Sequence, residues 1–128
     1  MSTELSHNLK YLFDKGNDLY FDKQYANAIV MFTHVIECNP QNKWAFDRRG
    51  SVYKSLGQYD RALQDYNRAL EIDSTFDNAY RNRAHVYRKN GFPRAAIADF
   101  ERAKQYSKDD RAHAMIDEII TSLKANLD

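Results

Sequence analysis

RRGSVYKSLGQYDRALQDYNRAL, residues 48–70, returns as NRAHVYRKNGFPRAAIADFERAK, residues 82–104. The two stretches share Arg, a small residue, Val-Tyr, Gly, Arg-Ala and a Tyr or Phe in nearly the same order. A fainter copy, KGNDLYFDKQYANAIVMFTHVIE, occupies residues 15–37. A step of 34 residues carries Gly16 to Gly50 to Ala84, Ala28 to Ala62 to Ala96, Phe32 to Tyr66 to Phe100, and Val35 to Ala69 to Ala103. A fixed period of this size marks a repeat array, in which each unit buries its apolar face only by stacking on its neighbours.

Within a unit the apolar positions step by three or four, as on a helix face: Phe46, Gly50 and Tyr53 form one stripe and Ala62, Tyr66 and Ala69 another. Gly57 and Gly91 stand where a first helix ends, Pro93 suits the first turn of the next, and Pro40 closes the second helix of the first unit. The pattern predicts helices near 9–22, 25–38, 43–56, 59–72, 77–90 and 93–106. Gly16, Gly50 and Ala84 are small so that the paired helix comes close, and Ala28, Ala62 and Ala96 receive the aromatic rings. Beyond them Ser107, Asp109 and Asp110 signal a helix start, and Ala112, Met115, Ile116, Ile119, Ile120 and Leu123 make an apolar stripe. Residues 2–8 are polar and read as a frayed end or a short extension of the first helix.

Composition fits a soluble globular chain: 43% of the 128 residues are apolar, 29% are charged and the net charge is +1. No charged start leads into an apolar run, and no stretch is long enough to span a membrane. The expected address is the cytoplasm. Cys38, the one cysteine, excludes an internal disulfide framework and reads as a structural residue near a helix end. His7, His34, His85 and His113 lack metal-ligand spacing, no carboxylate pair shares an apolar face, and no glycine-rich loop could cradle a phosphate. No catalytic residues, metal, cofactor or small-molecule substrate are therefore assigned, and the chain is read as a non-enzyme.

The repeated positions resemble the tetratricopeptide repeat. The family's pattern of large apolar residue, Gly or Ala, Tyr, Ala, Phe, Ala and Pro is matched up to its Pro by Phe46, Gly50, Tyr53, Ala62, Tyr66 and Ala69, and by Tyr80, Ala84, Tyr87, Ala96, Phe100 and Ala103. Leu12, Gly16, Leu19, Ala28, Phe32, Val35 and Pro40 match it in the first unit. The chain departs from it where Lys15, Arg49 and Arg83 replace a frequent Leu, and where Ser74 and Lys108 replace a frequent Pro. The resemblance implies an all-α, right-handed solenoid forming a single domain over residues 1–128, with repeats at about 9–42, 43–76 and 77–110 and a capping helix at about 109–126.

It also implies that the first helix of each repeat lines a concave groove. By register the groove positions are Lys10, Phe13, Asp14, Asn17, Tyr20 and Phe21, then Trp44, Asp47, Arg48, Ser51 and Lys54, then Asn78, Arg81, Asn82, His85, Arg88 and Lys89. Lys10, Arg48, Lys54, Arg81, Arg88 and Lys89 outweigh Asp14 and Asp47 there, so the groove is basic in a nearly neutral chain. Aromatic residues gather in its first unit and at Trp44. Asn17, Asn78 and Asn82 suit hydrogen bonds to a peptide backbone. Lys10, Phe13, Asn17, Tyr20, Trp44, Arg48, Asn78, Arg81, Asn82, His85 and Arg88 are the candidate partner-binding residues. The bland alternative is a solvated charged face with its aromatics packed between repeats.

Co-chaperones of this family grip a C-terminal carboxylate with Lys and Asn in the first repeat, Asn in the second, and Lys and Arg in the third. The corresponding positions here hold Phe13 and Asn17, Arg48, and Asn78 and Asn82; only Asn17 matches, so the usual clamp is not spelled out. The expected function is to bind a protein or peptide segment, acidic and partly apolar, as a monomer or weak homodimer. Self-assembly through the repeats or the final helix is the alternative, with Met115 and Ile119 of that helix serving a dimer or a partner helix. Nucleic-acid binding ranks behind both.

Overall fold

A computed structural model describes residues 3–127. Seven helices follow one another: α1 Thr3–Phe21, α2 Tyr25–Cys38, α3 Lys43–Ser55, α4 Tyr59–Ile72, α5 Asp77–Lys89, α6 Pro93–Tyr106 and α7 Asp110–Ala125. No strand occurs among the described residues. The first helix starts earlier than its repeat pattern, because register marks where a unit begins to pack and not where its backbone begins to coil. Met1, Ser2 and Asp128 lie outside the described residues.

The helices pair antiparallel as α1–α2, α3–α4 and α5–α6, and each pair packs on the next. α1 also approaches α3, and α3 approaches α5, whereas α2, α4 and α6 stay apart from one another. The array is thus an all-α solenoid curved towards α1, α3 and α5.

Ring against small residue sets the distance within each pair. A Cβ added at Gly16 would lie 2.7 Å from Phe32 Cε1, and one at Gly50 would lie 2.9 Å from Tyr66 Cε1. Phe32, Tyr66 and Phe100 are fully buried, each contributing about 1.5–3 kcal/mol of apolar burial. Beyond its own pair each ring meets the next unit: Phe32 clusters with Val52, Tyr66 with Val86, and Phe100 with Ile116 and Ile120 of α7. The final helix covers the third repeat in this way, through Ala112, Ile116 and Ile120. Ser51 bonds the Tyr66 hydroxyl at 2.9 Å, which satisfies the polar tip of that buried ring.

The arginines at the frequent-Leu position are accounted for by partners half a repeat away. Arg49 grips Asp65 with two bonds of 2.8 Å and donates a third, of 3.2 Å, to Thr33 Oγ1 on α2. Arg83 repeats this with Asp99 at 2.6 and 2.8 Å and donates to Asn67 Oδ1 on α4 at 2.8 Å. Each guanidinium therefore joins its own helix pair and ties it to the preceding one. Bidentate geometry of this kind offsets the cost of burying the Asp65 and Asp99 carboxylates.

Helix ends follow local chemistry. Asn42 caps α3 by accepting from the Ala45 amide at 3.1 Å, and Asp109 caps α7 by accepting from the Arg111 amide at 3.0 Å. The turn closing each first helix needs a left-handed residue, supplied by Gly57 (φ 74°) and Gly91 (φ 84°). In the first unit the same position holds Lys23, at φ 60°. A side chain in that region costs about 1–2 kcal/mol.

Lys23→Gly is accordingly expected to raise stability by about 1 kcal/mol in urea unfolding; an unchanged midpoint would remove the strain assigned to that turn. Arg49→Leu alone should cost about 3–5 kcal/mol, because it strands Asp65. Arg49→Leu with Asp65→Met should recover most of that loss in the same experiment, and equal destabilisation of single and double variants would contradict the pairing.

Candidate functional site

On the concave face, register places Phe13, Asp47 and Arg81 at one level of α1, α3 and α5, and Asn17, Ser51 and His85 one turn further on. Across α3 and α5 lies a cationic field made by Arg48, Lys54, Arg81, Arg88 and Lys89. Burial and the repulsion of Lys89 lower the Lys54 amine, with Asp47 opposing and Arg81 reinforcing the shift. The His85 imidazole is pushed down to about 4, first by burial and then by Lys54, Arg88, Arg81 and Lys89. It sits edge-on to Phe100 at 5.0 Å, with its Nδ1 3.2 Å from Arg88 Nη2.

Among the described residues Asp47 is the only acid inside this field, and it is buried. Burial raises its pKa, against the hydrogen bond from Asn82 and the attraction of Arg48, Lys54 and Arg81. Asn82 Nδ2 donates to Asp47 Oδ1 at 3.0 Å. That amide ties α5 to α3, which leaves its carbonyl oxygen as the group that could meet a partner. Asn78 accepts from Arg81 Nη2 at 2.6 Å and so orients the guanidinium. Ser51, a groove position by register, turns inward to Tyr66.

The aromatic end divides into two patches. Lys10, Phe13 and Trp44 line a cleft of about 200 Å³ between the middle of α1 and the start of α3, together with Leu9 and Asn42. Phe13 meets Phe32 edge-on at 5.6 Å, and Lys10 pairs with Asp14 at 2.8 Å. Trp44 is 53% exposed and packs edge-on against Phe76 at 6.3 Å. Beside it Lys43 lies over both rings and pairs with Asp73, which with Thr75 holds that carboxyl down to about 2. Tyr20 lies two helical turns from Phe13, about 10 Å along α1; it bonds Ser55 at 3.2 Å and stacks on the exposed Phe21 at 5.8 Å. Asn17 Oδ1 is buried without a hydrogen-bond partner among the described residues.

Sequence reasoning read α7 as a cap, with Met115 and Ile119 meeting a second copy or a partner helix as the alternative, and did not place it in the groove register. A further step of 34 along the chain carries Arg81 to Met115, His85 to Ile119 and Val86 to Ile120. Helix α7 thus stands in the register of a fourth groove helix, with Ile120 inward and Met115 64% exposed. Extending the period past its last clear aromatic would have exposed this in the sequence. Among the described residues no group of three or more His, Cys, Asp or Glu is placed to hold a metal ion, and no helix is long and apolar enough to cross a membrane.

Residues 50–91 match a family described as TPR repeat, and residues 31–64 match one described as tetratricopeptide repeat. Human serine/threonine-protein phosphatase 5 is 35% identical over 98 residues, which are 74% of this chain and 20% of that protein. The chain therefore spans about a fifth of that relative's length. Among solved structures, PcrH in complex with the chaperone binding region of PopD superposes with a TM-score of 0.89 at 20% identity, covering 96% of each chain. The first TPR of Spaghetti (RPAP3) bound to an HSP90 peptide gives 0.80 at 24% identity, over 93% of this chain and 95% of the other. At these identities the structural likeness establishes the fold.

The depressed His85 sets an acid dependence. Its folded pKa lies below the unfolded value of 6.5, so between those values the unfolded chain binds the extra proton, and stability falls as pH drops from about 6.5 towards about 4. NMR titration should place the His85 midpoint near 4, and His85→Gln should flatten the stability profile across that window; a midpoint near 6.5 would contradict the environment described.

Proposed function

We propose that this chain, which belongs to the tetratricopeptide-repeat family, is a non-enzymatic interaction module whose concave groove holds an acidic, partly apolar segment of a partner protein. One observation carries the reading: Arg48, Lys54, Arg81, Arg88 and Lys89 crowd one concave face, and among the described residues the only carboxylate between them is buried and committed to Asn82. Arg48, Lys54 and Arg81 are half-buried, which strengthens the repulsion they feel, and an anionic ligand would relieve it. Structures of the same fold that hold peptide segments, PcrH with PopD and the RPAP3 repeat with an HSP90 peptide, support a ligand in this groove.

In this reading the ligand's carboxylates lie against Arg48, Arg81 and Arg88, whose planar forks suit carboxylate pairing. An apolar side chain enters the cleft of Phe13 and Trp44 beside Lys10. The free carbonyl of Asn82 accepts from a backbone amide of the ligand, and Asn17, whose unpaired oxygen is buried, would join it by turning its amide outward. Asn78 holds Arg81 in place, His85 stays neutral between the charges, and Tyr20 borders the far side of the groove. The same reading takes the protein as cytoplasmic, and as a monomer or weak homodimer built of repeats at about 9–42, 43–76 and 77–110 with one final helix.

A fluorescein-labelled peptide of Asp, Glu and Ser should bind wild type with an affinity that falls as salt rises. Arg48→Glu combined with Arg81→Glu should weaken it by about tenfold or more and flatten the salt dependence, with the helical spectrum kept. Unchanged binding by the folded variant would mean that the groove is not the docking surface.

A further inference from the structure

Helices α5 and α7 are consecutive in the groove register, yet their backbones do not approach each other as α1 and α3 or α3 and α5 do. The gap is a cleft of about 210 Å³ bounded by Arg81, His85, Phe100, Met115, Ile116 and Ile119, with Asp109 and Arg111 at its rim. Its floor and far wall are apolar, and its near wall is the edge of the cationic field. The groove-facing positions of α7 are Met115 and Ile119, where α5 carries Arg81 and His85. A helix that only covered the third repeat would need Ala112, Ile116 and Ile120 buried, and they are. It would not need an exposed methionine one turn away, aimed at the same groove.

We propose that the α5–α7 cleft is a socket for an apolar side chain of the acidic segment held in the groove, so that α7 takes part in choosing the ligand. The proposal rests on the groove reading above and adds the residue class recognised at the third-repeat end. Charge complementarity selects the occupant: a ligand reaching the cleft from the groove passes Arg81 and Arg88, so the apolar side chain must sit beside carboxylates. Methionine, unbranched and polarisable, adapts to side chains of different shape and suits the open wall of such a socket. His85 offers a neutral ring to the entering group at pH 7, and its edge-on contact with Phe100 extends the apolar surface towards the charges.

The probes are fluorescein-labelled peptides of Asp, Glu and Ser, one free of apolar residues and a series carrying a single leucine at successive positions. With wild type, leucine at a favoured position should tighten binding by about tenfold or more over the leucine-free peptide. Met115→Gln, which replaces an exposed side chain with one of similar length, and Ile119→Ala should each erase most of a leucine gain while leaving the leucine-free affinity within about twofold. If leucine brings no gain while the leucine-free peptide still binds, the socket is wrong and the basic groove stands. If the gain survives both variants, the leucine seats elsewhere, as in the Phe13–Trp44 cleft, and the proposal fails. If no peptide binds at low salt, the groove reading fails and the socket with it. If light scattering shows a dimer that Met115→Gln dissolves, the cleft belongs to a second copy and the proposal is overturned.

Discussion

Contact between an aromatic ring and a residue with little or no side chain determines the geometry of the array. Phe32 lies on Gly16 and Tyr66 on Gly50 so closely that a single added carbon would overlap the ring. That closeness fixes the spacing of each helix pair, and the far edge of each ring then receives the first helix of the next unit at Val52, Val86 or Ile120. One side chain thus sets both the width of a unit and the offset to its neighbour. The curvature that gathers α1, α3 and α5 on one face follows from repeating that offset, and the groove exists because of it.

The sequence reports this layer of the structure well, since packing of this kind depends on size at fixed intervals. Gly16, Gly50 and Ala84 and their rings are readable one residue at a time, as are Gly57, Gly91 and Pro93 at the helix ends. The left-handed turn at Lys23 is harder, because a lysine carries no mark of the conformation imposed on it by its place in the repeat. Side-chain commitments are harder still. Asn82 and Ser51 fall on groove positions by register, yet one donates to a buried aspartate and the other turns inward to a tyrosine. Which way a polar group faces depends on partners from other helices, and a periodicity within one helix does not contain them. The aromatic end likewise reads as one patch, but Phe13 and Tyr20 differ by two turns along α1, and only Phe13 shares a cleft with Trp44.

Charge is used in two distinct ways. Inside the array, Arg49 and Arg83 stand where an aliphatic residue would also serve, and each is matched by an aspartate on the facing helix. Those ions are paired within the fold and largely covered. In the groove Lys10 has Asp14 beside it, but among the described residues the cations of α3 and α5 face one carboxylate, which an amide already takes. A nearly neutral total conceals both arrangements, which is why net charge carries no functional information here while the placement of individual charges does.

The arginine pairs also bear on how the array comes apart. Each guanidinium reaches back to the preceding unit, Arg49 to Thr33 and Arg83 to Asn67, so both junctions between repeats are clasped from the C-terminal side. The first unit has Lys15 and Met31 in place of the arginine and its aspartate, so α1 is held to α2 by apolar contact alone at that level. In a linear array, where each unit answers only to its neighbours, such an asymmetry gives unfolding a direction. Amide exchange should therefore be fastest in α1 and slow abruptly at α3, as though the molecule were a zipper whose first tooth is Arg49.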